Sequence, residues 1–303
     1  MLDYLGLAAL NAVIREGSFE RAARRLHITA SAVSQRVKQL EERMGQILVL
    51  RGQPCTGTEL GQRLCLHLEQ VGLLENELRR AHPELADGGQ SIAPTLKLAV
   101  NADSLSTWFM QAMAEFTQGG NELLDIGIDD QNHTAQRIRQ GEVMAAVTAT
   151  ASPIAGCNTW PLGTMAYVAA ASPGFVARHL PHGPTPEALA RAPMLIYDRK
   201  DRLQDQWLQA QGLASRRPPP AHWLPSVSAF IGASQAGIGW GMHPLIMVER
   251  ELREGRLVPL LPQAELDVPL YWVHTRMAQP GLQRLTDCVV RAAQARLIQE
   301  PVQ

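Results

Sequence analysis

The stretch ITASAVSQRVKQLEERMG, residues 28–45, carries two very different faces at helical spacing. Val33, Val37, Leu40 and Met44 recur at intervals of 4, 3 and 4, which predicts a helix laid against a core. Ser31, Ser34, Gln35 and Lys38 form a second stripe of hydroxyls, an amide and a cation, with no acid among them. A solvated face usually mixes Glu with Lys, so this one suits contact with something polar and negative. Such a helix needs partners behind it. Leu2, Leu5, Ala9 and Val13 give a first short helix its buried side, and Gly17-Ser18 supplies a stop followed by a capping hydroxyl. Phe19, Ala22, Ala23 and Leu26 line a second helix, and His27-Ile28-Thr29 is a tight connection with Thr29 as the next cap. After Gly45, Ile47–Leu50 reads as a strand and Arg51-Gly52-Gln53-Pro54 as a turn. The sum is a winged helix-turn-helix over residues 1–58.

Charge points the same way. From Arg15 to Arg51 there are eight basic residues against four acids, whereas residues 91–303 hold 17 basic and 18 acidic residues. The positive excess is therefore local, as expected of a nucleic-acid site. The segment EGSFERAARRLHITASAVSQRVKQLEERMGQILVLR also resembles the N-terminal signature of LysR-type transcriptional regulators. The likeness rests on GSF, the AA pair, the S-AVS core, the LE after the recognition helix and the R that ends the wing strand. Ala30 departs from it, standing where many relatives carry proline. On this reading Gln35 meets an adenine edge, and Ser31 and Ser34 reach bases or phosphates. Arg36, Lys38 and Arg51 contact phosphates, which position the domain without specifying sequence. Ser18, Thr29, Ala32, Gln53 and Pro54 complete the expected surface for double-stranded promoter DNA.

Leu60, Leu64, Val71, Leu74 and Leu78 follow a seven-residue repeat with His67 in one seam position, so residues 59–90 read as a dimerising linker helix and hinge. HPELADGGQSIAP, residues 82–94, is rich in breakers and marks a boundary. Beyond it TLKLAV, LLDIGI, MAAVTA, MAYVAAA, PMLIYD and LYWVHT are runs of strand length. Helical segments follow several of them, at Ser104–Gln118, Thr134–Gln140 and Asp205–Gln211. That alternation predicts an α/β fold with parallel sheets. The resemblance implies a two-lobed, periplasmic-binding-protein-like effector domain over residues 91–303. One lobe would come from about 91–162 and 268–303, the other from about 163–267.

Ligands of open α/β sheets sit at the carboxyl ends of strands. Four such places stand out. In NADSLSTWF the hydroxyls of Ser104, Ser106 and Thr107 suit a carboxylate, unless Asp103 or Ser104 merely caps a helix. Asp129 and Asp130 in IDDQNHT, and Asp198 and Asp201 in YDRKDRLQ, suit a cationic group, although a DRKD run is commonly a self-paired turn. The glycines of ASQAGIGWGMHP, Gly237 among them, let backbone approach a ligand. NADSLSTWF, AGC at 155–157, YDRKDRLQ and AGIGWGMHP together resemble the subgroup that senses lysine and arginine and switches on basic amino-acid exporters. That resemblance adds Asn101, Trp108 and Thr148 to the expected effector contacts.

Other classes have less in their favour. The four cysteines lack metal-ligand or disulfide spacing, and no HExxH, GxSxG or CxxC appears. An enzyme with a Cys/His site assembled across the α/β region is thus a remote alternative. A LysR-type regulator answering a different small carboxylate is the nearer one. Neither a cofactor nor a metal is called for. The start of the chain lacks a signal-peptide pattern, and no run approaches the ~20 apolar residues of a membrane span, so a cytoplasmic protein is expected. A homodimer or homotetramer that contacts RNA polymerase completes the expectation.

Overall fold

The computed structural model describes residues 2–82, 84, 94–128, 137–138, 142–276 and 279–299. At the N-terminus α1 (Tyr4–Glu16), α2 (Phe19–Leu26) and α3 (Ala30–Met44) enclose one core of Leu7, Leu10, Val13, Ala22, Val33, Val37 and Leu40. Each helix end has its local cause. Gly17 takes the left-handed φ of 65° that ends α1, and Ser18 Oγ accepts the Arg21 N–H at 3.4 Å to start α2. Thr29 Oγ1 accepts the Ala32 N–H at 3.2 Å to start α3, whose end falls at Gly45.

The wing is a two-residue pair, β1 (Val49–Leu50) against β2 (Thr56–Gly57). It is shorter than the Ile47–Leu50 run suggests. Glu41 at the end of α3 explains this, because its Oε1 accepts the N–H of Leu48 at 2.8 Å and of Val49 at 3.2 Å. A helix side chain, not a neighbouring strand, holds that backbone, and Ile47 is left 67% exposed. Cys55 N–H donates to Gly17 O at 2.9 Å and ties the wing to the α1–α2 turn.

The linker helix α4 (Glu59–Ala81) starts hard against the wing: a Cβ on Gly61 would lie 2.2 Å from Leu48 O. The seven-residue seam divides in two. Leu60 and Leu64 pack on the N-terminal core, whereas Leu74 and Leu78 remain 44% and 52% exposed. A different face of α4 meets the second domain, with Leu73 buried in its core and Glu69 Oε1 2.7 Å from Lys97 Nζ. Asn76 Nδ2 also donates to Glu122 Oε1 at 3.2 Å.

The second domain runs β3 (Thr95–Val100), α5 (Ala102–Leu105), α6 (Phe109–Gln118), β4 (Leu123–Ile128), β5 (Ala145–Thr148), β6 (Cys157–Ala171), α7 (Pro173–His179), α8 (Pro186–Leu189), β7 (Met194–Ile196) and α9 (Leu203–Ala210). It continues with β8 (Ala221–Trp223), α10 (Val227–Gln235), β9 (Gly241–Pro244), α11 (Leu245–Arg253), β10 (Val258–Pro259), β11 (Leu266–Thr275) and α12 (Gln279–Arg296). The expected parallel sheet is in fact mixed. Among the described strands β3 pairs parallel with β4 and β5, and β7 with β8, while β6 runs antiparallel to β11, β9 and β10.

The cause is the 15-residue β6 and 10-residue β11, which lie side by side in opposite directions and belong to both lobes. Their register shifts once, with Gly163 facing Leu270 and Pro161 facing Tyr271, so Leu162 bulges. The helix expected over Ser104–Gln118 is broken into α5 and α6. The one expected over Asp205–Gln211 begins earlier, at Leu203, because Asp201 Oδ1 accepts the Leu203 N–H at 3.0 Å. Of the helix expected at Thr134–Gln140, only Arg137 and Ile138 fall among the described residues. Among the described residues no helix is long and apolar enough to cross a membrane.

Candidate functional site

Two surfaces have the makings of a site. On α3, burying Val33, Val37 and Leu40 turns Ser31, Gln35 and Lys38 outward, with Ala32, Ser34 and Arg36 half-buried beside them. Arg51, Gln53 and Pro54 are exposed on the wing, where the Arg51 guanidinium sits 5.3 Å from the centroid of the Phe19 ring. The hydroxyls of Ser18 and Thr29 are engaged: Ser18 Oγ lies 2.6 Å from Glu20 Oε2, and Thr29 Oγ1 lies 3.0 Å from Ser31 Oγ. They fix the helix starts. Sequence reading missed one acid, since Glu42, one turn beyond Lys38, approaches its ammonium at 3.6 Å. Both are exposed, so water screens the pair and the cation is available to another anion.

The second surface is a cavity of about 500 Å³ between the lobes. It is walled by the end of β3, the middle of β6, the β7–α9 connection, α10, β9 and β11. Among the described residues four carboxylates line it, those of Asp103, Asp198, Asp201 and Asp267, against two cations, Lys200 and Arg202. Asp198 and Asp201 first organise their own turn. Asp198 Oδ1 accepts the N–H of Lys200 at 2.8 Å and of Asp201 at 3.0 Å, and Asp201 Oδ2 accepts the Tyr197 N–H at 3.0 Å. Asp103 differs, because its Oδ2 accepts from a phenol, Tyr167 Oη, at 2.7 Å. Burial pushes the Asp103 carboxyl up to about 6, opposed by the Tyr167 bond and assisted by the negative charge of Asp201. The Tyr167 phenol is raised in turn, by its own burial and then by Asp103.

Of the expected effector residues, Asn101, Asp198 and Asp201 line the cavity. Ser104, Ser106, Thr107, Trp108, Thr148 and Gly237 do not, and the reasons are local. Asn101 Oδ1 caps α5, Ser104 Oγ accepts the Trp108 indole N–H at 3.1 Å, and Thr107 Oγ1 donates to Asp103 O at 2.6 Å. Those hydroxyls are spent inside the fold, with Trp108 itself in the core; Ser106 is exposed elsewhere. Thr148 Oγ1 accepts the Thr150 N–H at 3.2 Å, and Thr150 takes its place on the wall. Gly237, at φ 72°, ends the turn after α10, and a Cβ on Gly241 would lie 2.6 Å from the Phe230 ring. Those two glycines serve the turn and the packing. Asp129 and Asp130 lie outside the described residues.

Sequence reading missed Asp103, Asp267, Tyr167 and His243 as wall residues. Asp103 alone had a signal, an acid at a strand end. His243 forms the nearest thing to a catalytic pair, its Nε2 2.9 Å from Ser234 Oγ. Both residues are wholly buried, and burial holds the imidazole down at about 4. No substrate carbonyl reaches that hydroxyl, so the pair is a packing contact. Among the described residues no group of three or more His, Cys, Asp or Glu is placed to hold a metal, and all four cysteines are buried.

Both regions of the chain match models of known families. Residues 6–62 match the model of the bacterial regulatory helix-turn-helix protein, lysR family, and residues 89–294 match the LysR substrate binding domain. The chain is 42% identical over 293 residues to the HTH-type transcriptional regulator ArgP of Pseudomonas fluorescens, covering 97% of each. The crystal structure of ArgP from Mycobacterium tuberculosis superposes with a TM-score of 0.80 at 41% identity, covering 99% of this chain and 100% of that one. Full-length LysG from Corynebacterium glutamicum, solved with bound effector Arg, gives 0.72 at 35% identity, covering 98% and 100%. With both regions matched and such identity over nearly the whole length, this chain belongs to the LysR family of bacterial helix-turn-helix transcriptional regulators.

Proposed function

We propose that this chain is a DNA-binding regulator whose interlobe cleft takes a basic amino acid, lysine or arginine, and that it controls a gene for basic amino-acid export. The observation that carries the reading is the charge of the cleft: four carboxylates against two cations. A zwitterion with one extra cation matches that excess, with its carboxylate toward Lys200 or Arg202 and its nitrogens toward the acids. The LysG relative with bound Arg supports the class of ligand. No catalytic role is assigned to any residue.

The linker supports assembly. Leu74 and Leu78 leave an apolar strip on α4 that a second copy would cover, giving the paired wings that two half-sites require. A route from cleft to DNA also exists. Lys97 lies in β3, whose far end carries Asn101 and Asp103, and its ammonium grips Glu69 of α4. An effector that favours one lobe arrangement shifts the pose of α4, and with it the wings and their contact with RNA polymerase, through its differential affinity. Calorimetric titration of the full chain with arginine, lysine, histidine and leucine tests the ligand class. Saturable heats with the basic amino acids alone are expected. Silence with all four, or equal binding of leucine, overturns the assignment and turns the search to other small carboxylates.

A further inference from the structure

The four acids of the cleft are not equivalent. Asp198 and Asp201 spend oxygens on backbone N–H groups of their own turn, and Asp267 sits on β11 within the cavity wall. Asp103 faces the cavity from the first lobe with one oxygen held by a side chain across the cleft, Tyr167 of β6. Tyr167 is itself only 2% exposed. The charged or titratable groups that share the cavity are Tyr167 from β6, Tyr197, Asp198, Lys200, Asp201 and Arg202 from the β7–α9 connection, His243 from β9 and Asp267 from β11. Among the described residues no lysine or arginine forms an ion pair with Asp103. The charge that acts on it is the repulsive one of Asp201. A half-buried carboxylate with a phenol and another acid for neighbours lacks a counter-ion that a ligand can supply.

We infer that Asp103 is the carboxylate that receives the cationic nitrogen of the effector, and that binding there expels a proton. The inference rests on the reading of the cleft as a basic amino-acid site and deepens it. The balance is simple. The protonated carboxyl gives its proton to solvent, and the ammonium or guanidinium becomes the counter-ion of the carboxylate. Because the empty site titrates near 6, the release is confined to acidic solution. His243, held down at about 4, stays neutral across that range and does not mask the effect.

The test is calorimetry of the full chain with L-arginine at pH 5, 6 and 8, each in two buffers of different ionisation enthalpy. The expected result is release of about half a proton per arginine at pH 6 and almost none at pH 8, with affinity about tenfold weaker at pH 5 than at pH 8. In Asp103→Asn both the proton release and the pH dependence disappear and affinity drops at least tenfold at pH 8. Tyr167→Phe removes a bond that favours the ionised form, so the inflection moves to higher pH while binding persists. That second variant keeps the test sharp should Asp103→Asn fold poorly. Tight, pH-independent binding to the natural chain, or an unmoved inflection in Tyr167→Phe, overturns the role of Asp103 and leaves the ligand class standing. Failure of the natural chain to bind arginine or lysine at any pH overturns the ligand class, and this inference with it.

Discussion

The recognition helix and the cleft answer to different physical variables. On α3 the working groups stand in water on a surface fixed from behind by Val33, Val37 and Leu40. Their charges attract DNA through a long-range field that salt screens. In the cleft Asp103 is half-buried and its carboxyl is pushed up to about 6, so its charge follows pH. The contrast teaches that the two halves respond to different solution variables, while the linker and the 3.4 Å contact of Arg15 Nη1 with Thr95 Oγ1 join them.

The sharpest way to break that comparison is to destroy one half. Val37→Asp buries an unpaired charge in the N-terminal core and should cost several kcal/mol there. Loss of DNA binding in a mobility shift, with arginine affinity unchanged by calorimetry, is the expected pattern. Equal loss of both would mean that the halves fold as one.

Next comes the cost of the buried acid. Burial raises Asp103 from 3.8 to about 6, so the folded chain holds a proton through a range in which the unfolded chain has lost it. The ligand-free protein therefore loses stability as pH rises from about 4 through 6, and the cost is complete above that. Asp103→Asn should remove it, adding roughly 1–3 kcal/mol at pH 7, the smaller figure allowing for water in the cavity. The melting temperature should rise at pH 7 and hardly change at pH 4. A variant that melts lower at pH 7 would show that the carboxylate is well solvated.

Gln35→Ala tests direct readout. The expected loss is about 1–3 kcal/mol of discrimination at one base pair, with binding to unrelated DNA unchanged, measured by competition between operator variants. Lys38→Gln should have the smallest effect. Its exposed pairing with Glu42 contributes little, and loss of one phosphate contact lowers the slope of log affinity against log salt by about 1. An unchanged slope would place Lys38 away from the phosphates.

How far the sequence was readable follows the same division. Caps and stops at Gly17, Ser18, Thr29 and Gly45 act within four residues of themselves, and the structure has them in those roles. The cleft is assembled from segments far apart, and its governing hydrogen bond joins Asp103 to a residue 64 positions away. No periodicity records such a bond. Nor did the apolar runs disclose that β6 extends over 15 residues and turns the sheet antiparallel. One error was avoidable. Ser104 stands four residues before Trp108, within helical reach of an indole N–H, and a hydroxyl with a partner so near is poorly placed to wait for a ligand.

The shared strands have a mechanical meaning. Since β6 and β11 stay paired from Cys157 to Tyr167 with a single register shift, the parts of the domain at either end of the ribbon, its lobes, are not tethered by loose chain. They are joined by a torsion bar. Any change of angle between them is a twist distributed along a hydrogen-bonded ribbon, softest where Leu162 bulges, and the ribbon returns what is put into it. Such a joint has a rest position and a restoring torque.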